Sequence, residues 1–528
     1  MILINISKRR QRFIVKVLLI FMPENILFWL RNDFTNLGIA QKLKTNSDFN
    51  LFGIIDGSNN LCAFYDFQDI VNFSITWNFY DYVKPIHSKL DLKYLSTFEK
   101  KYDLKLSKYI NNEPIFSKFK KFSSTEILSI LQHECELFEK IIEKSNPSFF
   151  IAKDSWFFET EFEPIHHFQL FYDLCLSKKI KILLLNQPHI GNKSIISEHN
   201  HTIDYLHSLN EINDYDTIDD LRNYLKSHDL SKQNKDYVKR NNLSLFKKIS
   251  KFSKKKDSLE YFFMGRSKIS LLLFYLKSSL IRKIRKSFIN KKFYQNFDLK
   301  QKYVYFPLSV DDEKEILFSA PLLTNQFEII RNIARSLPID CKLLVKEHPN
   351  QSNHNWRSIE FYKKIINLPN VYLIHPNFST EELFKNCSLV ITISGSSGFE
   401  ASFFSKPSLI FSTLGYSILS SVGIINSFEE LYEKIKYFIS LKIDDTELSK
   451  YVSQLEKNCF EFDSHQFYDV QEEYFLNSNI KNLNDYNFQI KSYLEKNSLT
   501  FDLLSTEFNK KILQHNIRKE NHGDIKLN

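Results

Sequence analysis

Between residues 302 and 425 the chain alternates short apolar runs with amphipathic stretches of about ten residues. The runs at 303–306, 342–345, 371–374, 389–393 and 408–411 are rich in β-branched and aromatic residues. Their apolar residues are consecutive rather than at every second position, which predicts strands covered on both faces, as in a parallel sheet. Between them, 326–337 predicts a helix with Ile329, Ile330 and Ile333 on one face. Ser379-Thr380-Glu381-Glu382 is a capping-box signature for a helix reaching Asn386.

The first 200 residues carry a less regular version of the same alternation. An apolar run at 13–21 predicts a first strand, 25–43 a helix, and 49–57 a second strand. A long amphipathic helix is expected over 124–145, with Ile127, Leu128, Ile130, Leu131, Leu137, Phe138 and Ile141 at helical spacing. A strand at 148–152, a helix at 165–177 and a strand at 180–185 follow. Strand–helix alternation on this scale predicts an α/β protein with two Rossmann-like, doubly wound domains, at 1–200 and 301–425, facing each other across a cleft. A basic, partly helical insertion at 201–300 separates them, and 426–528 is expected to be helical. Glycosyltransferases of the GT-B architecture have this plan, and nucleotide-sugar epimerases share it, so fold alone does not choose a function.

Length and composition agree with two soluble domains: 528 residues exceed one comfortable core, and 43 % of them are hydrophobic against 25 % charged. Cys62, Cys135, Cys175, Cys341, Cys387 and Cys459 are scattered with no CxxC pair. That spacing suggests neither a disulfide framework nor a zinc site and fits a reducing compartment. Lys8-Arg9-Arg10 ahead of an apolar run imitates a signal peptide, but Lys16 interrupts the run and no small-residue cleavage site follows. The expected location is cytoplasmic, with peripheral attachment to the inner face of a membrane.

That attachment comes from the charge. Of the net +9, residues 239–300 contribute +15, from 18 Lys/Arg against Asp257, Glu260 and Asp298, so the rest of the chain is mildly acidic. Apolar residues at 269–276 interleave with the basic ones, a pattern of interfacial helices on anionic lipid. No nucleic-acid motif accompanies the charge, so nucleic acid is not an expected partner. A solvated, lysine-heavy loop is the plain alternative.

Two polar turns fall where predicted parallel strands end, the edge at which such sheets bind ligands. One is Lys346-Glu347-His348-Pro349; the other is Ser394-Gly395-Ser396-Ser397-Gly398, opening a helix near Phe399. A histidine at a strand end can donate a hydrogen bond or a proton to a phosphate oxygen gaining charge as a sugar departs. Lys346 lies two residues from His348, while Ser394, Ser396 and Ser397 offer hydroxyls. Gly395 and Gly398 allow backbone N–H groups to approach a phosphate at a helix start. Singly, a His-Pro turn (His375-Pro376 is another) or a Ser/Gly turn is ordinary loop chemistry; together they point to a nucleotide-sugar site. The acid/base or nucleophilic group should come from the first domain, where Lys153, Asp154, Glu159, Glu161 and Glu163 follow the strand at 148–152. Asp154 is the candidate, either deprotonating an acceptor hydroxyl or attacking the anomeric carbon. A solvated acidic loop remains open there, and so does a loop at 186–192 carrying His189. No Asp-x-Asp falls at a strand end, so neither metal nor other cofactor is expected.

From YFPLSVDDEKEILFSAPLLTNQFEIIRNIARSLPIDCKLLVKEHP to GSSGFEASFFSKPSLIFSTLGY, the stretch 303–416 resembles the capsule-polysaccharide and surface-carbohydrate biosynthesis glycosyltransferases, which include the Kdo transferases of capsule assembly. It is more distantly similar to bacterial sialyltransferases, which hold a CMP-sugar with an HP motif and a serine motif. The resemblance implies a CMP-linked donor carrying a Kdo-like or sialic-acid-like sugar. The acceptor it implies is a growing surface or capsular glycan, free or lipid-linked. It places His348, Ser396 and Ser397 on the donor phosphate, with Lys346 in support and Glu400 on the ribose or sugar. The acidic-acidic-glycine motif of the sialyltransferases is missing, so Asp154 rests on its position alone. Rival readings are a nucleotide-sugar epimerase or polyol-phosphate transferase on the same fold, and a non-catalytic membrane-associated assembly protein.

Overall fold

The computed structural model describes residues 24–31, 33–57, 69–83, 90–118, 120–154, 165–188, 192–199, 202–204, 206, 209, 217–227, 268–311, 315–478 and 483–525. Its two open sheets, each flanked by helices, form two lobes in a GT-B-like Rossmann arrangement.

The N-lobe is built from β1 (Asn25–Leu30), α1 (Thr35–Asn46), β2 (Asn50–Ile55), β3 (Ile75–Asn78), α2 (Ser124–Ser145), β4 (Phe149–Lys153), α3 (His166–Ser177), β5 (Lys181–Asn186) and β6 (Lys193–Ser197). The strand predicted at 13–21 lies outside the described residues. The helix expected over 25–43 divides in two. Asn25–Leu30 is a central strand between β2 and β4, with Ile26 to Trp29 at most 1 % exposed, and only Thr35–Asn46 is helical. A six-residue run buried on both faces carries no period, and helix and strand look alike in it. Asp33 closes the strand by accepting the Thr35 amide at 2.9 Å, which starts α1. Strand order is β3-β2-β1-β4-β5-β6, closed at the far edge by the two-residue strand Phe460–Glu461, parallel from β3 to β5 and antiparallel beyond.

In the C-lobe, α4 (Ile218–Ser227) and α5 (Lys268–Lys292) precede β7 (Tyr303–Pro307), α6 (Gln326–Arg335), β8 (Lys342–Lys346), α7 (Ile359–Ile366) and β9 (Val371–Ile374). Then come α8 (Thr380–Asn386), β10 (Leu389–Thr392), α9 (Ser397–Ser402), β11 (Ser408–Ile410) and β12 (Val422–Ile424). All six strands are parallel in the order β9-β8-β7-β10-β11-β12. In chain sequence that is 3-2-1-4-5-6, the order of dinucleotide-binding domains. Ile329, Ile330 and Ile333 of α6 are buried, and the Ser379 hydroxyl accepts the Glu382 amide to start α8.

Segments outside the two sheets also pack by lobe. Ile289 and Phe293 seat α5 in the C-lobe core, and Leu221 does the same for α4. α10 (Leu431–Ile439) and α11 (Asp445–Asn458) complete that lobe; β13 (Phe460–Glu461) then joins the N-lobe sheet. α12 (Ser464–Asn477), α13 (Leu483–Lys496) and α14 (Ser498–Ile525) cover the N-lobe's outer face through Tyr493, Phe501 and Phe508. Gly38 of α1 makes that contact possible, since a Cβ there would lie 2.4 Å from the Phe501 ring. A single turn at Glu315–Ser319 ties the lobes together: Ile316 enters the C-lobe core, Leu317 and Phe318 the N-lobe core.

One buried ionic cluster anchors α3. Glu113 accepts the Ile165 and His166 amides at 2.8 and 3.0 Å, and the His166 ring lies 3.0 Å from both Glu113 and Glu134. Burial alone would depress this imidazole's pKa; the two carboxylates outweigh it and raise it to about 10. A raised histidine pKa stabilises the fold fully below the ordinary value of 6.5, and that stability is lost as pH rises through about 10. The urea midpoint should therefore fall between pH 7 and 10. His166→Gln should lose about 3–5 kcal/mol at pH 7 and flatten this dependence; an unaltered slope in the variant would refute it.

Candidate active site

Strand order reverses at β7 in the C-lobe, so the ligand crevice of this sheet lies outside the carboxyl ends of β7 and β10. Register places the two predicted turns beside it. Tyr305 of β7 pairs with Leu344 on one side and Val390 on the other, and Pro307 pairs with Lys346. The His348 and Ser394 turns therefore leave the sheet at the same height, two strand spacings apart, about 10 Å.

His348 is half-buried, and its Nδ1 accepts the Asn350 amide at 3.2 Å. The ring proton thus sits on Nε2. Burial lowers the imidazole's pKa to about 4, with the charges of Arg357 and Lys346 adding to it. At neutral pH the ring is uncharged. It can donate a hydrogen bond to a phosphate oxygen but holds no acidic proton to transfer. Lys346 is buried and donates to the Thr380 hydroxyl at 2.5 Å, at the start of α8.

Between them Glu347 points the opposite way, as side chains on an extended strand do. It is fully buried and accepts from the His348 amide (2.8 Å), Arg357 Nε (3.1 Å) and Tyr362 OH (2.6 Å). Arg357 also donates to Asp311 at 2.9 Å and to the Ser309 carbonyl, which lie on the connection after β7. Gln326 closes the same connection, exchanging hydrogen bonds with Ser309 and reaching Asp311. Two consecutive left-handed residues, Asn355 (φ 66°) and Trp356 (φ 58°), turn the chain so that Arg357 returns beneath His348. Sequence reasoning quoted Glu347 without giving it a role and missed Arg357 and Asp311. The signal for Glu347 was its alternation with two candidate residues; Arg357 had none.

In the serine turn, Ser394 is buried and Ser396 donates to Glu400 at 2.8 Å, one helical turn on. Tyr416 OH donates to the Gly395 carbonyl at 2.6 Å, fixing the turn from the far side. A Cβ on Gly398 would lie 2.7 Å from that same hydroxyl. Gly398→Ala should therefore displace Tyr416 and cost about 1–3 kcal/mol, weakening nucleotide binding too. Adding Tyr416→Phe should recover part of the stability, and no recovery in a melting experiment would count against this contact.

Asp154 stands in the other lobe, at the N-lobe's own reversal point between β1 and β4. It is 8 % exposed, and its amide continues the β4–β5 ladder to Leu185 at 2.9 Å. Its neighbour Lys153 is ion-paired to Asp33 and lies 3.5 Å from the Thr35 hydroxyl. Burial lowers the Lys153 pKa, while Asp33 works against the shift. Asp56, at the end of β2, accepts from Trp29 Nε1, Arg31 Nε and His167 Nε2, each at 3.0 Å. Burial opposes its ionisation, yet His167 and Arg31 hold the carboxyl well below the usual range. Lys346, His348, Ser394 to Gly398 and Glu400 thus share one edge of the C-lobe, and Asp154 shares the corresponding N-lobe edge with Arg31 and Asp33. Glu159, Glu161, Glu163 and His189 lie outside the described residues. A cavity of about 990 Å³ opens elsewhere, at the amino-terminal edge of the N-lobe strands by Ser148 and Lys181, remote from either reversal point.

Residues 220–427 match the model of the capsule polysaccharide biosynthesis protein family. That span covers both turns. A search of curated proteins gave no match. Among solved structures, Thermosulfurimonas dismutans KpsC, a beta Kdo 2,7 transferase, is similar at 11 % identity and TM-score 0.31, covering 81 % of this chain and 90 % of that one. The UDP-GlcNAc 2-epimerase of Methanocaldococcus jannaschii is similar at 14 % identity and TM-score 0.22, with 83 % and 100 % covered. That of Neisseria meningitidis, bound to UDP-GlcNAc, gives 12 %, 0.25, and 82 % and 99 %. At such scores these likenesses carry no functional weight.

Proposed function

We propose that the protein acts on a nucleotide sugar in the making of a surface polysaccharide, transferring the sugar from a CMP-linked donor to a growing glycan. One observation carries this reading: a neutral, donor-competent His348 and a Ser/Gly turn flank the reversal point of a 3-2-1-4-5-6 sheet, inside the span matching the capsule family. When the bond between anomeric carbon and phosphate oxygen breaks, its electron pair stays on that oxygen. His348 Nε2–H, the Ser397 hydroxyl and the backbone N–H groups of Ser396 and Ser397 meet the growing charge with hydrogen bonds, and Lys346 adds a fixed positive field. The acceptor hydroxyl attacks the anomeric carbon and loses its proton to Asp154. If configuration is retained, Asp154 attacks the anomeric carbon and displaces the nucleotide phosphate; the acceptor hydroxyl then displaces the Asp154 carboxylate and gives its proton to the departed phosphate. Glu400, tied to Ser396, is positioned for the ribose or sugar hydroxyls.

Interconversion of the donor, as by an epimerase, is the second reading. What favours it is that the C-lobe edge holds the donor and serves departure of the phosphate, a step both reactions share, whereas transfer needs the Asp154 side as well. Thermal shift with CMP-, UDP- and CDP-linked sugars, followed by incubation without acceptor, separates the two. We expect stabilisation by the CMP donor and no conversion without acceptor. Conversion of a donor alone would establish interconversion, and the absence of any nucleotide shift would end both readings.

A further inference from the structure

Helix α5 has two apolar faces, and among the described residues only one is packed against the fold. Tyr275, Ser278, Ile289 and Phe293 face the C-lobe and are 1–8 % exposed. On the opposite side Leu272, Leu273, Leu276, Leu280 and Ile284 are 42–63 % exposed. At about 100° per residue these five fall within one third of the helix circumference, and from Leu272 to Ile284 they run about 18 Å along it. Contiguous exposed apolar stripes of this kind mark interaction surfaces. Lys277, Lys283, Lys286, Lys291 and Lys292 are exposed beside or beyond the stripe, and the helix contains no acidic residue. The 29 residues before it, 239–267, add nine Lys/Arg against two acids.

We propose that this face of α5 docks on an anionic lipid bilayer. Charge complementarity selects that occupant. A second copy of the chain would bring the same lysines against their like, whereas acidic headgroups neutralise them while the acyl boundary takes the leucines. The helix lies on the surface rather than crossing it: no helix among the described residues is long and apolar enough to span a membrane. Its inner face is fastened to the connection that carries the site. Arg282 donates to the Asn353 carbonyl and Asn355, and Arg285 to the Asn355 and Trp356 carbonyls at 3.1 and 2.6 Å. Arg357, next in the chain, holds the Glu347 that receives the His348 amide. Docking therefore brings the His348 turn to the membrane on a rigid mount. It does not depend on which nucleotide-sugar reaction the cleft performs.

Flotation of the full chain with phosphatidylcholine vesicles, with and without phosphatidylglycerol, tests the proposal. Binding is expected only with phosphatidylglycerol, and it should weaken with salt. Leu276→Glu/Leu280→Glu and Lys277→Glu/Lys283→Glu/Lys286→Glu should each lower the bound fraction about tenfold. Leu499→Glu, at a still more exposed apolar position on α14, should leave it unchanged. Thermal melts establish that each variant folds, and the lysine variant keeps the test open should the leucine variant fail. No binding of the wild type, or undiminished binding of a folded leucine variant, overturns the proposal. So does a wild-type dimer that Leu276→Glu/Leu280→Glu converts to monomer with no vesicle binding by either.

Discussion

His348→Ala should lower turnover with the cognate donor about 10²- to 10³-fold, the range for removing one hydrogen-bond donor from a developing oxyanion. The fold should survive. His348 contributes one local hydrogen bond, to the Asn350 amide, and the turn is held from below by Glu347 rather than by the imidazole. The loss should appear mainly in kcat, because the charge met by Nε2–H is larger in the transition state than in the bound donor. With the imidazole's pKa down at about 4, the ring is neutral across the working range. Activity should therefore show no histidine limb between pH 5.5 and 8. Were the imidazolium the working form, kcat/KM would climb roughly tenfold per pH unit as pH falls over that range. Such a climb, or unchanged turnover in a folded His348→Ala, would remove His348 from catalysis.

The C-lobe was legible because its strands announce themselves. Runs such as Tyr303–Pro307 and Leu389–Thr392 are short, β-rich and bounded by turns, and each helix between them has its own cap or apolar face. Asn25–Leu30 offered no such boundary. It runs into Arg31 and Asp33 and then a true helix, so strand and helix merged in one pattern. That error had a functional cost. Arg31, Asp33 and Asp56 sit at the ends of β1 and β2, but they could not be placed on the N-lobe's ligand edge until Asn25–Leu30 was a strand. Asp154 was found because the run before it, Phe149–Lys153, is a clear strand. The apolar stripe of α5 was visible as interleaved Leu and Lys, whereas which face is exposed depends on tertiary packing of Tyr275, Ile289 and Phe293, contacts more local patterns do not encode.

A large effect on stability that bears directly on the site is expected at Arg357, which the sequence did not flag. Arg357→Met removes the cation from a fully buried carboxylate and leaves Glu347 charged without compensation, at a cost of about 3–5 kcal/mol. It also removes the guanidinium bonds to Asp311 and the Ser309 carbonyl, so the tie that Arg357 makes between the connections after β7 and β8 is lost and turnover should fall with stability. Burial already raises the Glu347 pKa, and Arg357 is the main opposing influence. Without it the folded-state value rises further above the unfolded one. A carboxyl raised in this way destabilises progressively as pH climbs from its unfolded value of 4.5, because the unfolded chain ionises freely there while the folded one must keep the proton or bury an unpaired charge. The deficit of Arg357→Met should accordingly be smallest near pH 4.5 and largest at neutral pH. Glu347→Gln in the same chain should restore part of it, with a coupling of about 0.5–3 kcal/mol in a double-mutant cycle. Urea midpoints at pH 5 and 7 for wild type, both single variants and the double measure this directly. An Arg357→Met variant within 1 kcal/mol of wild type at pH 7, or a deficit indifferent to pH, would show that Glu347 does not depend on the guanidinium and that the His348 turn is held by other contacts.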